Sequence, residues 1–213
     1  CFAGEGEYHG ARGLMSFEVG KKALDFLVEN SGTRKNLEVD FFGGEPSLNF
    51  PVVKKLVEYG RSIEKAANKN FRFTYTTNGV IVNDEIIDFC NKEMSNVVLS
   101  LDGRKEVHDR MRVYRNGVGS YDKIIDNFKT FVARRGGKDY YMRGTYTAFN
   151  TDFAKDILHM ADLGFKEISI EPVVAEPSAP YALSEKDLPV LLEQYEVLAK
   201  EMIKRNKMGE GFT

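Results

Sequence analysis

Short β-rich runs alternate with longer amphipathic stretches along this chain, and that alternation limits its fold more than any other feature. Strands are predicted at Leu37–Phe42, Phe71–Thr77, Asn96–Leu101, Tyr140–Thr147 and Glu167–Val173, runs rich in Val, Ile, Phe, Tyr and Thr. Between them, apolar residues recur three or four apart, as on one face of a helix. Val19, Ala23, Leu24 and Leu27 make the first such face, with Ser16 as N-cap and Gly32 beyond the end. Val53, Leu56 and Val57 make the second, after Asn49 and with Pro51 in the first turn. Ile124, Ile125, Phe128 and Phe131 follow Ser120. Phe153, Ile157, Leu158 and Ala161 follow Asn150 and Thr151, and Gly164 closes that helix. Strand and helix repeating at intervals of roughly 25 to 45 residues mark parallel βαβ units. Such units build an open doubly wound sheet or a barrel, and periodicity does not choose between them.

No domain boundary precedes Pro172, and 174–183, with Pro177 and Pro180, reads as a loop. Residues 1–183 are therefore expected to form one core. Residues 184–213 are expected to be a long helix, capped by Ser184 with Asp187 three residues on. That helix would dock through Leu188, Leu191, Leu192, Tyr195, Leu198 and Met202. Lys and Arg are scattered among acids and the net charge is −2, which argues against nucleic acid as the partner. No apolar run approaches the roughly 20 residues that span a bilayer, so no membrane is expected. Cys1 and Cys90 are the only cysteines, too few for a secreted disulfide scaffold, which points to the reducing cytoplasm. Cys90, on the apolar side of a helix around Glu85–Cys90, reads as a small buried hydrophobe.

In parallel α/β folds, chemistry gathers where strands end. Leu37–Phe42 runs into Gly43-Gly44-Glu45-Pro46, and Phe71–Thr77 into Asn78-Gly79. Asn96–Leu101 carries Ser100 and ends in Asp102-Gly103. Asn-Gly and Asp-Gly also serve as plain turns. The first tetrapeptide says more: adjacent glycines open the backbone to a ligand, and the carboxylate after them suits a positive group such as an ammonium. The histidines carry little weight: His9 sits in a polar loop, His108 in a charged turn, and His159 on a helix beside Met160. None has metal-ligand spacing. Gly117-Val118-Gly119-Ser120 is no phosphate loop, since it lacks the lysine and follows no strand.

Several motifs follow in order: Cys1-Phe2-Ala3, Phe41-Phe42-Gly43-Gly44-Glu45-Pro46, Thr76-Thr77-Asn78-Gly79, Ser100-Leu101-Asp102-Gly103, Val107-His108-Asp109-Arg110-Met111-Arg112 and Gly117-Val118-Gly119-Ser120-Tyr121. At these spacings the set resembles radical S-adenosylmethionine (SAM) enzymes of the SPASM peptide-maturase branch. That branch includes anaerobic sulfatase maturases and enzymes that make thioether crosslinks, and the chain is most similar to the maturase of the cysteine-rich peptide SCIFF.

The resemblance implies a partial (β/α)6 barrel of parallel strands that lacks its first strand and two cluster cysteines. A missing C-terminal auxiliary-cluster domain would follow the last helix. Cys1 looks like the third cysteine of a C-x3-C-x2-C motif holding a 4Fe–4S cluster, and thiolates are the usual ligands of such clusters. By the same resemblance Gly43, Gly44 and Glu45 cradle the amine of SAM. Ser100 and Arg112 contact its ribose and carboxylate, and Val173 packs on its adenine. Arg143 is a further contact, and Asp102 either orients its loop or faces the peptide. The implied reaction is reductive SAM cleavage to a 5′-deoxyadenosyl radical. That radical takes hydrogen from a ribosomally made cysteine-rich peptide, and a cysteine sulfur closes a thioether. A ferredoxin or flavodoxin would supply the electron. Formylglycine formation of the sulfatase-maturase type, or a non-catalytic SAM- or peptide-binding barrel, are the alternatives.

Overall fold

Each predicted strand exists, shifted by a residue or two at its ends. The computed structural model describes residues 13–213, so the expectation attached to Cys1 lies outside the described residues. The chain runs α1 (Phe17–Asn30), β1 (Asn36–Phe41), α2 (Phe50–Ala67), β2 (Asn70–Thr77), α3 (Asp84–Glu93) and β3 (Met94–Ser100). It continues with α4 (Lys105–Met111), α5 (Tyr121–Arg134), β4 (Tyr140–Tyr146), α6 (Ala154–Asp162), β5 (Ile168–Pro172) and α7 (Leu188–Lys207). The five strands are parallel, and their order in the sheet follows the chain, β1-β2-β3-β4-β5. Helix-linked neighbours in chain order make this an α/β fold of parallel strands, as the alternation implied, with the partial (β/α) architecture that the resemblance implied. The chain folds as two compact units. One is the chain up to Val98 with Lys129–Tyr140, and the other is Leu99–Phe128 with Tyr141–Thr213.

In the first unit, β1 and β2 pair from Asn36 opposite Asn70 to Phe41 opposite Tyr75. Ser16 caps α1 as expected, its Oγ accepting the Val19 N–H at 3.3 Å. A methyl group on Gly20 would lie 2.5 Å from Leu56, so glycine lets α1 and α2 pack closely. The rings of Phe41, Phe71 and Phe73 stack beneath these helices. Cys90 is fully buried, and that burial pushes its thiol up to about 12, the inert residue expected. Arg135 is also buried, its guanidinium spread over the carbonyls of Cys90, Met94 and Asp139.

In the second unit, β4 and β5 pair from Met142 opposite Ile168 to Tyr146 opposite Pro172. Tyr146, Phe153, Ile157, Leu191 and Phe212 form its core. The Ser184–Asp187 capping box is present, but it opens a short 3-10 turn before α7. The apolar face foreseen for α7 is only partly used. Leu191 is buried with Leu198 and Met202 beside it, and Tyr195, though partly exposed, sets its ring against Phe153 at 4.9 Å and meets the Tyr146 hydroxyl at 3.0 Å, whereas Leu188 and Leu192 are exposed. At the free edge of β5, the Thr213 N–H donates to the Lys166 carbonyl at 2.8 Å, and the Ile168 N–H donates to the Thr213 carbonyl at 2.7 Å. Those two bonds make a parallel bridge. Among the described residues no helix is long and apolar enough to cross a membrane.

Candidate functional site

Within the first unit the site is built on the loop after β1. Gly43 has φ 42°, in the region that favours glycine, and among the described residues a Cβ added at Gly43 or Gly44 would meet nothing within 4 Å. Glu45, half-buried, is the hub behind that loop. Its Oε1 accepts from the Ser47 N–H at 3.0 Å and from the Thr77 hydroxyl at 2.9 Å, and its Oε2 accepts from the Asn78 N–H at 2.7 Å. Three donors from two loops fix the carboxylate, and an ionised carboxylate has about four acceptor positions. Among the described residues, one acceptor position on Oε2 is therefore unused. Asn78 also makes the turn expected of Asn-Gly, its Oδ1 accepting the Val80 N–H at 3.0 Å. Its N–H thus holds Glu45 while its side chain makes the turn.

Within the second unit the site is built on the loop after β3. Ser100 is half-buried at the strand end, and the next residue donates its N–H to the Arg143 carbonyl at 2.9 Å. Asp102 is 4% exposed. It accepts from Arg112 Nε at 2.6 Å, from Arg112 Nη2 at 3.0 Å and from the Thr145 N–H at 3.1 Å. Of the two roles left open for Asp102, this geometry is that of a loop-orienting carboxylate. Arg112 is neither a solvated surface arginine nor a free fork. Two of its five N–H groups are committed to Asp102, and among the described residues the other three have no hydrogen-bond partner.

Gly103 has φ 125°, and a Cβ on it would sit 2.2 Å from that of Asp156. Asp156, fully buried, accepts from the backbone and Nε of Arg104 at 3.0 and 2.8 Å and from Asn150 Nδ2 at 3.1 Å. The other edge of Arg104 forks onto Asp152 at 2.8 and 3.1 Å. This polar block pins the turn that carries Asp102.

His108 needs correcting. It lies in helix α4 rather than in a charged turn, and it is fully buried. Its Nδ1 accepts the Asp102 N–H at 3.3 Å, and its Nε2 bonds the Ser120 hydroxyl at 3.0 Å. Burial pushes its pKa down to about 4, with the Asp102 charge opposing. His159 is on α6, where its Nε2 meets the Tyr121 hydroxyl at 2.7 Å. Arg143 pairs with Glu171 of the chain itself, at 2.9 Å with both groups exposed. Val173 is half-buried and donates its N–H to the Tyr146 carbonyl at 2.9 Å, extending the β4–β5 ladder by one bond. Gly119 pairs with Val113 in an isolated antiparallel bridge, and Gly117 donates its N–H to the Tyr114 carbonyl at 2.8 Å in the turn between them. Among the described residues no three His, Cys, Asp or Glu side chains cluster as metal ligands.

The family model described as Radical SAM superfamily matches residues 1–164. An uncharacterized protein of Methanocaldococcus jannaschii is 32% identical over 159 residues, which are 74% of this chain and 52% of that protein. A cysteine-type anaerobic sulfatase-maturating enzyme of Clostridium novyi is 27% identical over 193 residues, 86% of this chain and 51% of that protein. The chain thus spans about half the length of these curated relatives. Among solved structures, native anSMEcpe with bound AdoMet and Kp18Cys peptide superposes with a TM-score of 0.83 at 20% identity. It covers 100% of this chain and 58% of that one, a likeness of fold.

Proposed function

The chain belongs to the radical SAM superfamily, and on that premise we propose that it is the barrel of an enzyme that forms a thioether crosslink in a ribosomally made, cysteine-rich peptide. The family's cofactors are a 4Fe–4S cluster and SAM. When bound, they supply the one-electron cleavage of SAM and the hydrogen-abstracting radical. The observation that carries the reading is Glu45: a carboxylate fixed by three donors, with one acceptor position left, beside an open Gly43–Gly44 backbone. An ammonium that also needs backbone acceptors fits that arrangement, as the methionyl amine of SAM does.

The roles of the residues follow from their chemistry. Gly43 and Gly44 would accept from the ammonium, and Glu45 would neutralise it. The free N–H groups of Arg112 would bind the carboxylate of the same ligand, with Asp102 holding the guanidinium at a set angle. Ser100 would bond the ribose, and Val173 would cover the adenine. Cys1 would be one of the cluster's thiolate ligands. The peptide, a ferredoxin or flavodoxin as electron source, and a cytoplasmic setting complete the proposal.

A second reading, formylglycine formation on a protein substrate, is favoured by the likeness to the anaerobic sulfatase-maturating enzyme of Clostridium novyi. Mass spectrometry separates the two. The full-length, cluster-loaded protein would be incubated anaerobically with SAM, reductant and either a cysteine-rich precursor peptide or a sulfatase-type peptide. A loss of two hydrogens per crosslink, with the cysteine no longer alkylatable, is the expected result. An aldehyde on the sulfatase-type peptide alone would replace it with the second reading.

A further inference from the structure

Ser120 has one hydroxyl hydrogen, and its Oγ donates it to the Arg112 carbonyl at 2.9 Å. The contact of that Oγ with His108 Nε2 at 3.0 Å therefore needs the imidazole to be the donor. A neutral imidazole carries one N–H, which leaves Nδ1 bare, and the Asp102 N–H points at Nδ1 from 3.3 Å. The three bonds agree on one tautomer. The opposite tautomer would set an Nδ1–H against the Asp102 N–H and would take the Ser120 hydroxyl away from Arg112. The imidazolium would make the same clash, and full burial disfavours it. The charged groups facing the ring, Asp102, Arg112, Asp109 and Lys105, balance in sign, and the edge of Tyr121 closes its side. One ring thus ties the backbone of residue 102 directly, and that of residue 112 through a hydroxyl.

We propose that His108 is the positioning residue of the Asp102–Arg112 pair, held as the neutral Nε2–H imidazole, and that it sets SAM affinity only through that pair. This rests on the reading of Arg112 given under Proposed function.

Two measurements on the full-length protein test it. In 15N-histidine spectra, His108 is expected to show an unprotonated, hydrogen-bonded Nδ1 and a protonated Nε2, without titration from about pH 5.5 to about pH 8. By equilibrium dialysis with SAM, His108→Phe and Ser120→Ala are each expected to weaken binding roughly tenfold, as loss of one or two hydrogen bonds implies. His108→Asn, which restores an acceptor near the place of Nδ1, is expected to recover part of that loss. In an Arg112→Ala background, His108→Phe is expected to have no further effect on affinity.

An Nδ1–H tautomer overturns the inference. So does an equal loss of affinity in both backgrounds, or a lower melting temperature with unchanged affinity. If His108→Phe does not fold, the tautomer and Ser120→Ala still decide. A wild-type protein that shows the expected tautomer but binds no SAM overturns the functional reading instead.

Discussion

The guanidinium of Arg112 lies side-on to the carboxylate of Asp102, with Nε at 2.6 Å from Oδ2 and Nη2 at 3.0 Å from Oδ1. A planar fork fits a carboxylate in this way, and an ammonium does not. Arg112→Lys keeps the charge but loses the second bond and the fixed angle. It is expected to weaken SAM binding about tenfold and to cost about 1–3 kcal/mol of stability, because Asp102 is buried and keeps its need for donors. Calorimetric titration with SAM and urea unfolding read the two effects separately.

Glu45 is the corresponding group in the first unit. Glu45→Gln puts an NH2 where one carboxylate oxygen now accepts. It then faces either the Asn78 N–H or the Ser47 and Thr77 donors, which are left without an acceptor. A stability loss of about 1–3 kcal/mol is expected. SAM affinity should fall as well, because the remaining negative charge is gone. A titration of Glu45→Gln against Glu45→Asp, which keeps the charge, measures that second part.

His108 gives the fold a pH dependence of known sign. In the unfolded chain it takes a proton near its ordinary pKa of 6.5, whereas burial delays that to about 4 in the folded protein. The folded state therefore binds fewer protons between these values. The stability it gains is fully present above pH 6.5 and is lost as pH falls through the window, by about 3 kcal/mol in all, with no further loss from this group below pH 4. Urea midpoints of the wild type and His108→Asn across that range should differ in slope.

Gly103 tests the polar block behind Asp102. Its φ of 125° and the 2.2 Å approach to Asp156 leave no room for a side chain. Gly103→Ala is expected to destabilise by about 3 kcal/mol or more, through backbone strain and displacement of a buried carboxylate together. Thermal unfolding beside Gly117→Ala, another positive-φ glycine but with open space around it, separates the clash from the strain.

What the sequence revealed and what it hid follow one physical line. The strands, the Ser16 cap, the Gly164 helix end and the inert Cys90 are set by local composition and period, so they could be read directly. The Gly43–Glu45 loop reads as a candidate site because glycines next to a carboxylate are unusual chemistry at a strand end. His108 does not. Its neighbours Asp109 and Arg110 are charged, and its burial comes from packing against Tyr121 and Ser120, more than ten residues away. Arg104 and Asp156 were hidden for the same reason, since 52 residues separate two groups that meet at 2.8 Å. Leu188 and Leu192 stay exposed on α7 because a continuous apolar face shows what can be buried, and the neighbouring surface decides how much of it is. The partners of Asp102, Arg112 and Thr145, are 10 and 43 residues away, so no local pattern shows them.

This chain's residues are proposed to serve reductive SAM cleavage. The most direct test is to load the full-length protein with its cluster under anaerobic conditions, add SAM and dithionite, and quantify 5′-deoxyadenosine by chromatography. The expected result is its formation with the wild type and a strong reduction with Glu45→Gln and Arg112→Ala. Intact SAM in the presence of a spectroscopically verified, reducible cluster would contradict the account.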